Sequence, residues 1–203
     1  MNGESTMIIV LIKDFDTAKS RLAEVLGTDE RRHLAVDMAE RALHAAAGLA
    51  PTIAVCGSTE AAAIAIDAGA SAVVEEEQQG QNAAAQRGID AAGEHDAAAV
   101  LILSSDLPLV DEPSLRELLD LARDLPGSLA LAAAALGRRG TNALFLRPPN
   151  GFGLHFGDAS LPHFAAEAQV RGRRFVVHDD RRLGLDLDEP ADLETLERAQ
   201  DST

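Results

Sequence analysis

The stretch Met7-Ile-Ile-Val-Leu-Ile12 is an uninterrupted apolar run, rich in β-branched side chains and followed at once by Lys13. A run of this kind predicts a strand that is buried on both faces of a sheet. The segment from Ala98 to Leu103 has the same character, and polar residues follow it too. Because such strands occur in parallel sheets covered by helices, the pattern predicts the α/β class.

Outward from this stretch, short apolar runs alternate with longer segments of helical period. The predicted strands are Met7–Ile12, Thr52–Cys56, Ala72–Val74, Ala98–Leu103, Leu129–Ala134, Ala143–Leu146 and Phe175–Val177. The predicted helices are Asp29–Ala50, Glu60–Ala68, Asn82–Ala92, Glu112–Arg123, Leu161–Val170 and a last one from Pro190 to near Ala199. Thr28 or Asp29 is expected to cap the first of them. We expect one domain over residues 1–203, with a mostly parallel central sheet flanked by helices.

The composition is typical of a folded globular chain, with 46% hydrophobic and 25% charged residues. The formal net charge of -15 disfavours nucleic-acid binding, since phosphate backbones need clustered cations. The single cysteine, Cys56, excludes an internal disulfide bond and fits a reducing compartment. The first apolar run is too short for a signal peptide or a membrane span. We therefore expect a cytoplasmic protein with no membrane partner.

Ligands bind open α/β sheets at the carboxyl ends of the strands, which makes the residues there site candidates. After the first strand, Lys13, Lys19, Ser20 and Arg21 could hold a polyphosphate, and a solvated loop is the alternative. After the third strand, Gly80 can adopt backbone angles that other residues avoid.

Asn82 could cap the next helix or present its amide to a nucleotide base. A plain turn with a helix cap is the alternative there. The spacings GxxxxGK[ST] and GxGxxG are absent from the strand ends, which disfavours the common kinases and dehydrogenases.

Aspartates follow the fourth strand and recur near the end of the chain. Asp106 lies two residues before Pro108 and is a candidate Mg²⁺ ligand, the alternative being an aspartate that satisfies turn amides. Asp186 and Asp188 alternate with leucines, and a period of two puts both carboxylates on one face. Together the three predict a cation site, and a half-exposed edge strand is the alternative for the later pair.

A second anion site is expected where Phe156-Gly157-Asp158-Ala159-Ser160 leads into a helix. Backbone amides at a helix N-terminus, capped by Ser160, bind anions well, and Thr141 could add a hydroxyl from a neighbouring strand. A phosphate site separate from the lysine–arginine loop implies two phosphorylated substrates. Sites of other kinds have no basis here, since HExxH and Gly-x-Ser-x-Gly are absent and Cys56 is expected in the core.

Taken in chain order, the motifs resemble the guanylyltransferases of coenzyme F-420 biosynthesis. The motifs are Lys13…Ala18-Lys19-Ser20-Arg21-Leu22, Gly80-Gln81-Asn82-Ala83-Ala84, Ser105-Asp106-Leu107-Pro108, Gly140-Thr141-Asn142-Ala143-Leu144, Phe156-Gly157-x-x-Ser160 and Leu185-Asp186-Leu187-Asp188. Members of that family act on 2-phospho-L-lactate, phosphoenolpyruvate or 3-phospho-D-glycerate. The chain departs from the family at Gln81, where leucine is common, and at Ser104-Ser105, where Pro-Ala is usual.

The resemblance implies a nucleotidyltransferase of the glycosyltransferase-A-like, Rossmann-like fold that uses GTP and Mg²⁺ and releases pyrophosphate. It implies acid-substrate binding by Thr141, Gly157 and Ser160, and metal binding by Asp106, Asp186 and Asp188. With these implied roles, the catalytic residues are Lys13, Lys19, Arg21 and Asp106, and the nucleotide-binding residues are Lys13, Ser20, Arg21, Gly80 and Asn82.

The acid is expected to be phosphoenolpyruvate, because the arginine-heavy, alanine-rich composition suggests a GC-rich bacterium. Phospholactate and phosphoglycerate remain alternatives, as do an enzyme that uses another nucleotide or a nucleotide sugar and a non-catalytic nucleotide-binding subunit. A hand-over of the product to the downstream deazaflavin transferase and a homodimer are both left open.

Overall fold

The computed structural model describes residues 5–137 and 139–200. The strands are β1 (Thr6–Ile12), β2 (Thr52–Cys56), β3 (Ser71–Val74), β4 (Ala99–Ser104), β5 (Leu129–Ala134), β6 (Thr141–Arg147) and β7 (Arg174–His178). The helices are α1 (Thr28–Ala47), α2 (Thr59–Asp67), α3 (Gln81–Gly93), α4 (Glu112–Asp124), α5 (Ser160–Val170), α6 (Arg181–Gly184) and α7 (Pro190–Gln200). Among the described residues, none of these helices is long and apolar enough to cross a membrane.

All predicted strands and helices are present, and their ends differ from the prediction by at most three residues. The short helix α6 was not predicted. The alternative interpretation of residues 185–188 as a half-exposed edge strand is wrong, because this segment lies outside the sheet, between α6 and α7. Buried and partly exposed side chains nevertheless alternate along this segment. Leu185 and Leu187 lie in the core, and Asp186 and Asp188 are partly exposed.

The seven strands form one sheet in the order β3-β2-β1-β4-β6-β5-β7. Four of the six strand pairs are parallel, whereas β6 runs antiparallel to both of its neighbours. The sheet is therefore mostly parallel, as predicted. Because β6 is reversed, it starts where β4 ends, with Ala143 paired to Leu103. This places Thr141 and Asn142 at the same sheet edge as Asp106.

The core lies on both faces of the central strands, since successive side chains of a strand point to opposite faces. Ile8 and Val10 of β1 pack with α1, α2 and α4, whereas Ile9 and Leu11 pack with α3 and α5.

Cys56 is buried in β2, where burial and then the charge of Glu75 raise the pKa of its thiol to about 12. The expected core role of Cys56 is confirmed. The edge strands β3 and β7 are only partly buried, which corrects the expectation that every strand is covered on both faces.

Three predicted helix caps are wrong. Helix α1 is capped by Gly27 rather than Thr28 or Asp29, and the Gly27 N–H donates to Glu30 at 2.7 Å. Helix α3 is capped by Gly80, whose φ of 90° is one that glycine tolerates best. Helix α5 is capped by Ala159. Asn82 and Ser160 thus lie inside the first turns of their helices, where the Asn82 amide bonds to the Phe156 backbone and the Ser160 hydroxyl is buried.

Gly88→Ala tests the close packing of α3 on β1. A Cβ at Gly88 would meet Ile9 Cγ2 at 2.3 Å, whereas at Gly93 of the same helix no described atom lies within 4 Å. We expect Gly88→Ala to lower the free energy of unfolding by about 1–3 kcal/mol, as overpacking usually does. Urea denaturation measures this. Gly93→Ala is the matched control and should be neutral or stabilising, because alanine favours helix. Wild-type stability of Gly88→Ala would contradict the tight contact.

Candidate active site

A cavity of about 660 Å³ opens at the carboxyl ends of β1, β2 and β4, the edge at which open α/β sheets bind ligands. Of the twelve predicted site residues, all but Asn82 and Ser160 line it. A second cavity of about 810 Å³ lies at the opposite sheet edge, near Thr6 and Thr52, and contains none of them. The first cavity is therefore the candidate site.

Lys19 lies at the centre of this cavity between two of the predicted metal ligands. Its ammonium is 3.3 Å from Asp106 Oδ2 and 3.1 Å from Asp188 Oδ1. The Lys19 side chain is only 6% exposed, and its backbone has a left-handed φ of 57°. Non-glycine residues adopt this conformation rarely, and they do so mostly where the surroundings require it. Here it turns the chain so that the ammonium reaches the carboxylates.

Burial alone would lower the pKa of Lys19, but the negative charges of Asp106 and Asp188 outweigh it, and the pKa is raised. Lys19 is therefore a fixed positive charge at neutral pH. The sequence predicts that Lys19 helps to hold a polyphosphate, with a solvated loop as the alternative, whereas in the structure its ammonium is paired with two carboxylates. The other two cations of the loop, Lys13 and Arg21, are exposed at the cavity wall, with Arg21 3.5 Å from Glu189.

The acidic residues suit a cation, since two of them already hold an ammonium. Carboxylate oxygens are the ligands that hard divalent cations prefer. Asp186 lines the same cavity. Among the described residues, however, the one group of three candidate ligands within 4.8 Å of one another is Glu117, His178 and Asp180, which do not line this cavity. A divalent cation at Asp106 and Asp188 would thus compete with Lys19 for these oxygens.

Buried hydroxyls lie on the other side of the cavity. Thr141 Oγ1 and Ser160 Oγ are both buried and have no hydrogen-bond partner among the described residues. Between them in the chain, Gly157 and Ala159 line the cavity with positive φ angles of 126° and 53°. Buried polar groups are nearly always satisfied, so an orphaned pair beside a cavity points to a polar ligand.

Two asparagines support this site, and sequence reasoning missed their contacts. Asn142 is buried and donates from Nδ2 to the carbonyl oxygens of Leu183 and Gly184, each at 3.0 Å. These bonds join the start of β6 to α6, just before the acidic segment at Asp186 and Asp188. The motif containing Asn142 was visible in the sequence, but its partners 41 and 42 residues away were not.

The second asparagine, Asn82, uses its side-chain amide on the backbone of Phe156, 74 residues away. Its neighbour Gln81 donates to Ser104 Oγ at 3.0 Å, next to Asp106. The backbone N–H of Leu187 donates to the Asp106 carbonyl at 3.1 Å, which fixes the acidic segments to each other. Polar contacts thus connect all the loops that carry predicted site residues.

The fold is similar to those of two solved transferases. A solved nucleotide-diphospho-sugar transferase, described as putative, from Desulfovibrio desulfuricans superposes with a TM-score of 0.80 at 16% identity, covering 98% of this chain and 88% of that one. A nucleotidyl transferase from Methanothermobacter thermautotroptrophicus superposes with a TM-score of 0.69 at 17% identity, covering 99% and 100% of the two chains. The predicted nucleotidyltransferase fold is confirmed.

Within this class, the family model described as "Guanylyl transferase CofC like" matches residues 6–198. The chain is 35% identical to a phosphoenolpyruvate guanylyltransferase from Rubrobacter xylanophilus, over 95% of this chain and 94% of that one. It is 28% identical to a 2-phospho-L-lactate guanylyltransferase from Methanocaldococcus fervens, over 92% and 82%. The chain therefore belongs to the CofC-like guanylyltransferase family, a family of nucleotidyltransferase enzymes, which confirms the resemblance drawn from the motifs.

Lys19→Met tests whether the ammonium and a divalent cation compete for the same carboxylates. We expect the nucleotide-free variant to bind Mn²⁺ about tenfold more tightly or better, because removing a cation from two acidic groups removes an electrostatic repulsion of that order. Electron paramagnetic resonance of free Mn²⁺ measures the affinity. Lys13→Met, at an exposed lysine of the same cavity, should change the affinity much less. Equal Mn²⁺ affinity of the Lys19 variant and wild type would contradict the competition.

Proposed function

We propose that this enzyme joins GMP from GTP to phosphoenolpyruvate and releases pyrophosphate, as a step of coenzyme F-420 biosynthesis. The observation that carries the proposal is the presence of two anion-binding regions in one cavity, on either side of an acidic centre. One contains Lys13 and Arg21, and the other contains Gly157 and Thr141, whose buried hydroxyl has no hydrogen-bond partner among the described residues. An enzyme that joins two phosphorylated substrates needs this arrangement.

The triphosphate of GTP is assigned to the loop after β1. Lys13 and Arg21 are exposed and can turn towards a polyanion, lysine as a point charge and arginine as a fork. Ser20 supplies a hydroxyl, and Gly80 leaves the cavity wall open because no described atom lies within 4 Å of the Cβ it lacks. Lys13, Ser20, Arg21 and Gly80 are the proposed nucleotide-binding set. The fifth predicted member, Asn82, instead bonds through its side-chain amide to the backbone of Phe156.

The acid is assigned to Thr141, Gly157 and Ser160. The two hydroxyls can donate to a phosphate or carboxylate, and the left-handed backbone of Gly157 shapes the loop between them. Phosphoenolpyruvate is supported by the name of the Rubrobacter relative, whereas 2-phospho-L-lactate is supported by that of the Methanocaldococcus relative. The two acids differ at carbons that a single pocket side chain could sense.

The reaction is an in-line attack of the acid's phosphate oxygen on the α-phosphorus of GTP. A P–O bond forms there, the bond to the β-phosphate oxygen breaks, and pyrophosphate leaves. The nucleophile is already an anion, so no general base is required. Lys13, Lys19 and Arg21 stabilise the negative charge that develops on the leaving group, which is the usual means of catalysis in such transfers.

Mg²⁺ is the proposed metal, held by Asp106, Asp186 and Asp188, where it would neutralise phosphate charge and orient the two substrates. The carboxylates fit it because they hold a cation in this structure, the Lys19 ammonium. Cytoplasmic location, product hand-over to a deazaflavin transferase and a homodimer remain predictions.

Pyrophosphate release is the test of this function. With Mg²⁺, GTP and each acid in turn, and the deazaflavin transferase with its acceptor present to trap a labile product, we expect release with phosphoenolpyruvate. ATP, CTP and UTP should be poor donors. Release with 2-phospho-L-lactate alone would reassign the acid, and preference for another nucleotide would end the guanylyl assignment.

Asp106→Asn removes one proposed metal ligand without changing the shape of the side chain. We expect the rate of pyrophosphate release to fall by a factor on the order of 10² to 10³, which is typical for the loss of one preorganised electrostatic contact. Asp67→Asn, at an exposed aspartate at the end of α2, is the matched control and should keep wild-type activity. Near-normal activity of a folded Asp106→Asn enzyme would remove Asp106 from the site.

Thr141→Val separates binding from stability. The hydroxyl that it removes has no partner, so we expect the free energy of unfolding to be unchanged or to rise. The KM for the acid should rise about ten- to hundredfold, the usual effect of losing a hydrogen bond to a charged group. Thr52→Val is the matched control, since its hydroxyl donates to Ala50 at 3.0 Å on the opposite sheet edge. It should destabilise the fold and leave the KM unchanged. An unchanged KM for Thr141→Val would contradict the acid assignment.

A further inference from the structure

Asn82 forms a pair of hydrogen bonds with one residue on the other side of the cavity. Its Nδ2 donates to the Phe156 carbonyl oxygen at 3.1 Å, and the Phe156 N–H donates to Asn82 Oδ1 at 2.7 Å. A carboxamide can form both bonds because it carries a donor and an acceptor side by side in one short planar group. The pair also sets the orientation of the amide, because a flipped group would place two donors and two acceptors against each other.

The loop that Asn82 contacts contains the proposed acid-binding residues. Phe156 is 8% exposed and packs edge-on against Phe164 with ring centroids 5.1 Å apart, so this end of the loop is anchored in the core. Gly157 and Ala159 then have positive φ angles. At the other end, the Leu161 N–H donates to the Arg139 carbonyl at 2.9 Å. The positive-φ backbone between these anchors leads into Ser160, the first residue of α5.

Asn82 itself stands on a rigid element. It lies in the first turn of α3, which packs against β1 through Gly88 and Ile9. The two residues before it, Gly80 and Gln81, line the cavity. Because Asn82 lies on a helix that packs against the sheet and bonds to the loop backbone, it can hold the loop at a fixed position relative to the sheet.

We propose that Asn82 is a positioning residue for the phosphorylated acid, holding the Phe156 backbone so that Gly157 and Ser160 form the acid-binding loop. This inference rests on the proposed function of the cavity. It differs from the predicted base-reading role of Asn82, because the described contacts of the amide lead to the acid side and Asn82 is not part of the cavity lining. One side chain thereby connects the nucleotide-side helix to the acid-side loop.

Steady-state kinetics of Asn82→Ala and Asn82→Asp test the proposal, because a positioning role and a base-reading role affect different constants. Asn82→Asp keeps the acceptor for the Phe156 N–H and places an oxygen against the Phe156 carbonyl. We expect both variants to raise the KM for the acid about tenfold and to leave the KM for GTP and the nucleotide preference within twofold of wild type. Gln86→Ala, at an exposed amide of the same helix, is the control and should change neither constant.

Hydrogen–deuterium exchange of the substrate-free proteins gives a readout that does not require activity. Amides of residues 156–161 should exchange at least about tenfold faster in Asn82→Ala than in wild type, with the rest of α3 unchanged. A raised KM for GTP with an unchanged KM for the acid would overturn the proposal, and so would unchanged exchange in the loop. If wild type releases no pyrophosphate with any acid, the proposed function is wrong, and the exchange comparison still decides whether Asn82 holds the loop.

Discussion

The ion pairs of Lys19 with Asp106 and Asp188 bring together three segments that are far apart in the chain. Asp106 follows β4, Asp188 precedes α7, and Lys19 lies in the loop after β1. Two partly buried carboxylates this close to each other would repel strongly without a cation, since solvent and salt screen them poorly there. The geometry of the cavity therefore depends on a positive charge at its centre, which here is an ammonium and during turnover is proposed to be shared with a divalent ion.

The reversed strand β6 allows the remaining site residues to reach this centre. A parallel β6 would start at the opposite sheet edge, about seven residues or 20 Å away from the ends of β1 and β4. As observed, Thr141 and Asn142 begin the strand next to Asp106, where Thr141 faces the cavity and Asn142 bonds to α6. Loops held by a rigid sheet and by side-chain amides can keep functional groups in place without filling the cavity.

A protein with a net charge of -15 presents an electrostatic problem if, as proposed, it binds two anionic substrates. Its overall field repels nucleotides and phosphorylated acids at long range. At physiological ionic strength this repulsion is screened beyond about 8 Å, so local groups decide the binding. In the proposed function, the exposed Lys13 and Arg21, the buried hydroxyls and a cation at the aspartates would supply that local attraction. Family membership and the local charges indicate the same class of reaction, although the overall charge of the protein by itself does not favour it.

The sequence by itself determined the strands, the helices and the edge of the sheet that binds ligands, because apolar periodicity and polar residues at strand ends are local patterns. It also identified ten of the residues that line the cavity. Only the tertiary structure decided the reversal of β6, the burial of Lys19, the absence of a strand at residues 185–188 and the partner of Asn82, which is 74 residues away. The cap predicted at Asn82 was wrong for the same physical reason. A side chain that can cap its own helix can equally bond to a distant backbone, as Asn82 does to Phe156, and the fold decides which contact forms.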